Sequence, residues 1–112
     1  MLPGCLRLKR QQDFNRVYKR GVSAAYPAFV LHRRPNSGGR RFGFSVSKKV
    51  GNAVVRNRVR RRFRHAVYGL RELFPDGADY IFVARTAAVN MAFGQLEQEL
   101  RRAAADSARG RK

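Results

Sequence analysis

Cysteine, acidic residues and long apolar runs are all scarce in this 112-residue chain. The single cysteine, Cys5, excludes an internal disulfide and favours a reducing location, so we expect a cytoplasmic protein. Cys5, His32 and His65 lack the paired spacing of structural zinc ligands, so we expect no metal on the protein. No apolar stretch has the length of a signal peptide or a membrane-spanning helix, and we therefore expect no membrane partner.

The shortage of acids is sharpest in the first part of the chain. Seven acidic residues stand against 25 lysines and arginines, which gives a formal net charge of +18. Residues 1–66 contain 18 of the basic residues and one acid, Asp13. Such a charge repels itself unless a polyanion neutralises it, and the usual polyanion is nucleic acid. A protein ribonuclease needs a paired acid and base or carboxylates that hold metal, so we expect no catalytic residues here.

The order of predicted elements indicates one α+β domain that spans residues 1–112. Apolar residues at helical spacing predict helices over 11–21, 53–73 and 91–105. Alternating and continuous apolar runs predict strands over 26–34, 40–47 and 79–85, the last of them buried in the middle of the sheet. Helices packed on one sheet form a sandwich. We expect residues 1–9 and 106–112 to be flexible, although Leu6 and Leu8 can dock on the edge of the domain.

Six arginines crowd into residues 56–64 of the second predicted helix, for which Asn52 is a candidate N-cap. At 100° per residue, the stripe that faces the sheet comprises Val55, Val59, Phe63 and Val67. The residues predicted to point away are Arg58, Arg61, Arg62 and His65. Because guanidinium groups bind phosphate in a bidentate manner, this side of the helix predicts an RNA-binding surface. The alternative is a solvated basic face, which seven acids cannot neutralise.

A second candidate surface lies where the first helix meets the sheet. Phe14 and Tyr18 recur at i, i+4 on that helix. Strand alternation puts four residues on one face beside them: Val30, His32, Ser45 and Ser47. Aromatic rings beside small polar and basic residues are typical of grooves that bind single-stranded nucleic acid. From the residues alone, a core role for Phe14 and Tyr18 is the alternative.

Residues 42–66, FGFSVSKKVGNAVVRNRVRRRFRHA, resemble the signature of the bacterial ribonuclease P protein family. Residues 8–21, LKRQQDFNRVYKRG, are similar to the first helix of that family, and residues 79–85, DYIFVAR, to its last strand. Two alternatives are weaker. A ribosomal protein would explain the charge but not the order Gly-Asn-Ala-Val-Val-Arg-Asn-Arg, and a free-standing nuclease would need the missing acid and base.

The resemblance implies the protein subunit of an endoribonuclease that removes the 5′ leader of precursor tRNA. In this family the RNA subunit carries the catalysis, Mg²⁺ is required by the RNA-containing holoenzyme, and the protein holds no cofactor. The resemblance also implies one protein bound per RNA, without an obligate homo-oligomer. For the fold it implies a mixed sheet, with a fourth short strand near residues 22–26 or 35–40 and a left-handed crossover between the parallel strands.

The resemblance further assigns the two surfaces to two RNA ligands. The residues that bind the ribonuclease P RNA are expected to be Lys48, Lys49, Arg56, Asn57, Arg58, Arg60, Arg61, Arg62 and Arg64. The cleft that holds the precursor-tRNA leader is expected to be lined by Phe14, Tyr18, Val30, His32, Ser45 and Ser47. The aromatic and small polar residues of the cleft are those that strand and helix periodicity group independently.

Overall fold

A four-stranded mixed sheet separates one short helix from two longer ones. The computed structural model describes residues 6–8 and 10–109. Its elements are α1 (Gln11–Arg20), β1 (Val22–Ala25), β2 (Phe29–Pro35), β3 (Arg41–Ser45), α2 (Ala53–Leu70), β4 (Ala78–Ala84) and α3 (Phe93–Ala108). The strand order is β1-β2-β4-β3, and β4 runs antiparallel to β2 and parallel to β3. The predicted α+β class with a mixed sheet is confirmed, whereas the handedness of the β3–α2–β4 crossover stays a prediction.

The central strand β4 supplies both hydrophobic cores. Tyr80 and Phe82 face the main core beneath α2 and α3, whereas Ile81 faces a smaller core beneath α1 with Leu8 and Val17. A strand buried on both faces reads as a continuous apolar run, so the predicted central position is confirmed. No helix within residues 6–8 and 10–109 combines the length and hydropathy needed to cross a bilayer.

Aromatic rings fix α2 on the sheet. The ring of Phe63 lies 5.9 Å from that of Phe29 and 6.4 Å from those of Phe44 and Phe82, centroid to centroid. Phe63, Phe29 and Phe82 are almost fully buried. Edge-to-face and offset pairs of this kind add about 0.5–1.5 kcal/mol each beyond their buried area. The rotation of α2 about its axis is therefore fixed by its apolar side.

Several predicted boundaries differ from the structure. The fourth strand lies at β1, the first of the two expected places. Pro27 and the Tyr26 N–H bond to the Phe29 carbonyl form a turn, so β2 begins three residues later than predicted. The prediction that Ser47 lies on the strand face is wrong, because pairing with β4 ends at Ser45 opposite Val83 and Ser47 lies beyond it. α2 ends at Leu70, and a 3₁₀ turn (Arg71–Leu73) follows.

The ends of the chain pack more closely than expected. Leu8 is buried, and its N–H donates to the Phe42 carbonyl at 2.8 Å, so residues 6–8 lie along the edge of β3. α3 continues past the predicted end, where the Tyr26 hydroxyl donates to Asp106 at 2.7 Å and Ser107 is buried. Residues 106–108 thus belong to α3 and Arg109 to a final turn, while the expected flexibility of residues 106–112 stays a prediction. Residues 1–5, 9 and 110–112 lie outside the described part of the chain.

Gly43 sets how closely α1 approaches the sheet. A Cβ atom on Gly43 would lie 2.6 Å from Cζ of Phe14 and 3.2 Å from Cβ of Leu8. The absence of a side chain at this position therefore lets Phe14 rest directly on β3. By contrast, Gly69 is exposed on α2. Apart from its chain neighbours and the nearby backbone of its own helix, no atom would lie within 4 Å of a Cβ atom placed there.

We expect Gly43→Ala to lower the free energy of unfolding by about 1–3 kcal/mol, because the methyl group overpacks the contact with Phe14. The matched control, Gly69→Ala, should raise it by up to about 1 kcal/mol, because alanine is the better helix former. Urea unfolding of both variants measures the difference. Stabilisation by Gly43→Ala would contradict the proposed close contact.

Candidate nucleic-acid interface

The side chains of α2 divide into a buried side and a basic side. The buried residues are Val59, Phe63, Ala66, Val67 and Leu70. The exposed residues on the other side include Asn57, Arg58, Arg61 and His65. The predicted orientation is therefore confirmed for Arg58, Arg61 and His65, whereas Val55 in the predicted stripe is only half-buried.

The positive charge of this side is not neutralised within the protein. In residues 6–8 and 10–109, no arginine of α2 forms an ion pair with a carboxylate. Arg60 donates to Oδ1 of Asn57 at 2.9 Å, which orients its guanidinium group without removing its charge. A surface of this kind binds phosphates through bidentate contacts and the release of counterions.

The start of α2 adds to this positive charge. Asn52 is the N-cap, because its Oδ1 accepts from the Val55 N–H at 3.0 Å, as predicted. The first turn of α2 contains no acidic residue, so the positive end of the helix dipole is not compensated there. Lys48 and Lys49 are exposed in the turn before this end. Of the predicted RNA-binding residues, 48 and 49 thus precede, and 56 lies in, the first turn of a helix terminus that favours anions.

Arg64 connects the basic side of α2 with the opposite face of the sheet. A pocket at the edge of β3 brings Arg64 together with Arg7, Leu8 and Phe14. Burial lowers the pKa of Arg64, and the nearby guanidinium groups of Arg7 and Arg60 lower it further. Arg64 remains charged at neutral pH, so its shift reflects burial of a charged group first and repulsion by the two neighbouring guanidinium groups second. An anion placed between them would relieve that repulsion.

Arg62 differs from its neighbours. It was predicted to point away from the protein, and this orientation is wrong: its side chain is half-buried and Nη2 donates to the Met91 carbonyl ahead of α3. The Met91 carbonyl accepts this bond in place of water, and a hydrogen bond from a charged donor contributes about 1.5–3 kcal/mol to stability. Sequence periodicity could not reveal this contact, because Met91 lies 29 residues away.

Four of the residues predicted to line the cleft meet where α1 packs on the sheet. Tyr18 is 39% exposed, and its ring meets the edge of the His32 ring at a centroid distance of 5.0 Å. Burial raises the pKa of Tyr18, and a side-chain hydrogen bond with Ser45 partly opposes that shift. In the register, Val30 and Ser45 flank Val83 on this same face. The structure therefore brings Tyr18, His32, Val30 and Ser45 together.

Phe14 has a different role from Tyr18. Its ring is half-buried and packs with the small core under α1, 6.4 Å from the Tyr18 ring. The core alternative therefore holds in part for Phe14, while Tyr18 keeps an accessible aromatic surface. Ser47 is exposed in the connection that leads to Lys48.

Burial favours the neutral form of the His32 imidazole. Burial lowers the pKa of His32 below its ordinary value of 6.5. A neutral imidazole at pH 7 adds no charge to the cleft and can present its ring to a base. Within the described residues, no group of three or more histidine, cysteine or acidic side chains is close enough to hold a metal ion.

The arrangement matches that of known proteins. The family model for ribonuclease P matches residues 2–107. The chain is 46% identical to the ribonuclease P protein component of Desulforamulus reducens over 94 residues, which are 83% of each chain. This chain belongs to the ribonuclease P protein family. The ribonuclease P protein component of Bacillus velezensis is also 46% identical, over 84% of this chain and 82% of the relative.

Solved ribonuclease P proteins share the fold. The Staphylococcus aureus ribonuclease P protein aligns with a TM-score of 0.78 and 36% identity over 87% of this chain and 90% of that one. The protein from Thermotoga maritima aligns with a TM-score of 0.79 and 26% identity over 87% and 93%. Because the family match includes the basic helix and both sides of the cleft, a ribosomal protein is the weaker alternative.

Arg61 and Arg62 make a matched pair for testing this interface with ribonuclease P RNA. Arg61→Gln should lower the slope of log affinity against log salt by about 0.7–0.9 for each lost phosphate contact and leave stability nearly unchanged. Arg62→Gln removes the same charge but should cost about 1–3 kcal/mol of unfolding free energy, because the Met91 carbonyl loses its donor. Salt-dependent binding and urea unfolding give both quantities. Equal effects of the two variants on stability would contradict the distinction.

Proposed function

We propose that this chain acts as the protein subunit of ribonuclease P and assists endonucleolytic removal of the 5′ leader from precursor tRNA. The basic side of α2 binds the ribonuclease P RNA, and the cleft beneath α1 binds the leader. The observation that carries the proposal is the position of Arg64. It extends the unpaired charge of α2 around the edge of β3 to the pocket beside Phe14.

The protein's contribution is electrostatic and geometric. Arginines on α2 neutralise phosphates of one RNA and so permit a second RNA strand to approach closely. In the cleft, Tyr18 offers a stacking surface and Ser45 offers a small polar contact, while half-buried Val30 and His32 form the floor. An extended leader held there has less freedom of position, which favours presentation of the scissile phosphate at one place.

Cleavage itself is assigned to the RNA subunit. In the described residues, neither His32 nor His65 has a carboxylate partner: His32 meets the ring of Tyr18 and His65 that of Phe93. An imidazole without a carboxylate lacks the usual arrangement of a general base. We therefore assign Mg²⁺ to the RNA-containing holoenzyme, where it would activate water and stabilise the leaving oxygen. We further propose one protein per RNA, without an obligate homo-oligomer, in the cytoplasm.

We expect the purified protein alone to leave precursor tRNA uncut at every Mg²⁺ concentration. Adding a ribonuclease P RNA at low salt should give a mature 5′ end, because the protein then lowers the repulsion between the two RNAs. Gel analysis of 5′-labelled precursor measures the product. The control variant Arg101→Gln/Arg102→Gln, on the exposed side of α3, should support the same cleavage. Specific cleavage by the protein alone would reject the assignment of catalysis to RNA.

Tyr18→Ala should weaken binding of precursor tRNA to the holoenzyme by about 1–3 kcal/mol and leave binding of mature tRNA unaffected. Only the precursor carries a leader, whose bases can stack on the ring of Tyr18. Tyr18→Phe keeps the ring and is the matched control, which should retain most of the affinity. Equilibrium binding of both tRNAs separates the effects. An equal loss for precursor and mature tRNA would place Tyr18 outside the leader site.

A further inference from the structure

A second groove lies on the side of α1 that faces away from Tyr18. Rotation by about 200° over two residues directs Arg16 away from Phe14 and Arg20 away from Tyr18. Arg34 lies two residues after His32 on β2 and therefore on the same face of the sheet. In the register it is paired with Asp79 of β4. Two cavities that share Arg16 and Arg34 lie here, and we call them together the outer groove. Its lining includes Arg16, Lys19, Arg20, Arg34, Asn36 and Arg41.

The outer groove carries an excess of positive charge. Five of its lining residues are cationic and none is acidic. The nearby Asp13 is shared, at 3.7 Å from Arg16 and 3.8 Å from Arg41. Among the residues that the structure describes, Lys19, Arg20 and Arg34 form no ion pair. The groove therefore favours an anion from outside the protein.

One wall of the outer groove is held rigidly. Buried Asp79 accepts from Nε of Arg41 at 2.9 Å and from Nη2 at 3.1 Å, and it accepts from Nδ2 of Asn36 at 2.6 Å. Oδ1 of Asn36 in turn accepts from the Gly38 N–H at 2.9 Å. These bonds fix the connection between β2 and β3 before any ligand binds. Binding to such a wall loses less conformational entropy than binding to a mobile loop.

The lining distinguishes the outer groove from the cleft. The cleft has aromatic rings, whereas the outer groove is lined by cations, amides, Ser37 and Pro35, without an aromatic residue. Single-stranded RNA is usually bound by stacking its bases on aromatic side chains. Base-paired RNA presents phosphates and turns its bases inward, so cations alone suffice. The lining therefore fits the backbone of a helical RNA better than it fits a leader strand.

We propose that the outer groove binds phosphates of a base-paired segment of the ribonuclease P RNA, separate from the segment on α2. The proposal rests on the proposed function, since it takes the RNA subunit as the partner. The sheet lies between α1 and α2, and the molecule measures 35 × 27 × 25 Å. The two basic surfaces thus contact different parts of one RNA, and together they fix the orientation of the cleft between them.

The test is the double variant Arg16→Gln/Arg34→Gln, compared with Arg101→Gln/Arg102→Gln, which removes the same charge from the exposed side of α3. Affinity for ribonuclease P RNA is measured without tRNA over a range of salt concentrations. The groove variant should lower the salt slope by about 1.4–1.8, from two lost phosphate contacts, while the control stays near wild type. Thermal unfolding should be similar in both, because Arg16 is 58% exposed and Arg41 still neutralises Asp13.

Hydroxyl-radical footprinting of the same complexes locates the contact. Nucleotides that lose protection in the groove variant should lie in a base-paired segment and differ from those lost in Arg58→Gln/Arg61→Gln. A groove variant with the slope of the control would overturn the inference. A normal slope with weaker binding of precursor than of mature tRNA would also overturn it, because the groove would then bind the leader. Failure of the wild-type protein to bind this RNA would instead reject the proposed function.

Discussion

The Phe63 ring packs against Phe29, Phe44 and Phe82, and this contact decides which side of α2 faces outward. A helix so rich in arginine would repel itself in isolation, because like charges at i, i+4 are destabilising. Burial of the apolar side outweighs that repulsion and fixes the direction in which the arginines point. The position of the arginines thus follows from the core, while the expected affinity for RNA follows from their charge. The arginines share one outward side because the opposite side of the helix is apolar and buried.

The cleft depends on a second and smaller contact. Gly43 allows Phe14 to lie against β3, and Val17 with Ile81 closes the core beneath α1. This core is small, so α1 is held by few side chains and yet carries Tyr18 on one side and Arg16 on the other. The sheet therefore supports a candidate RNA-binding surface on each face: arginines through α2, and aromatic and basic residues through α1. Arg64 at the edge of β3 links the two.

Sequence reasoning succeeded where a pattern is local. The period of α2, the Asn52 cap and the continuous apolar run of β4 each predict one element, and all three are confirmed. It failed where a distant partner decides. Arg62 turns back to the Met91 carbonyl, and the pairing of β3 with β4 ends at Ser45, so Ser47 lies beyond the predicted strand face. The outer groove was also missed, because Arg16 and Arg34 come together only when α1 crosses the sheet. The unbalanced charge of residues 1–66 was the available signal, but it could not give the location.

Whether the outward side of α2 lies on the ribonuclease P RNA can be measured directly. Two variants of a Cys5→Ser protein each carry one cysteine: Asn57→Cys on α2 or Gln98→Cys on α3, both at exposed positions. An iron chelate attached to that cysteine generates hydroxyl radicals. Strand scission is then mapped in the reconstituted RNA complex. We expect localised cuts in the ribonuclease P RNA from position 57 and none above background from position 98. Cuts from position 98 alone, or equal cuts from both positions, would contradict the placement of α2 on the RNA.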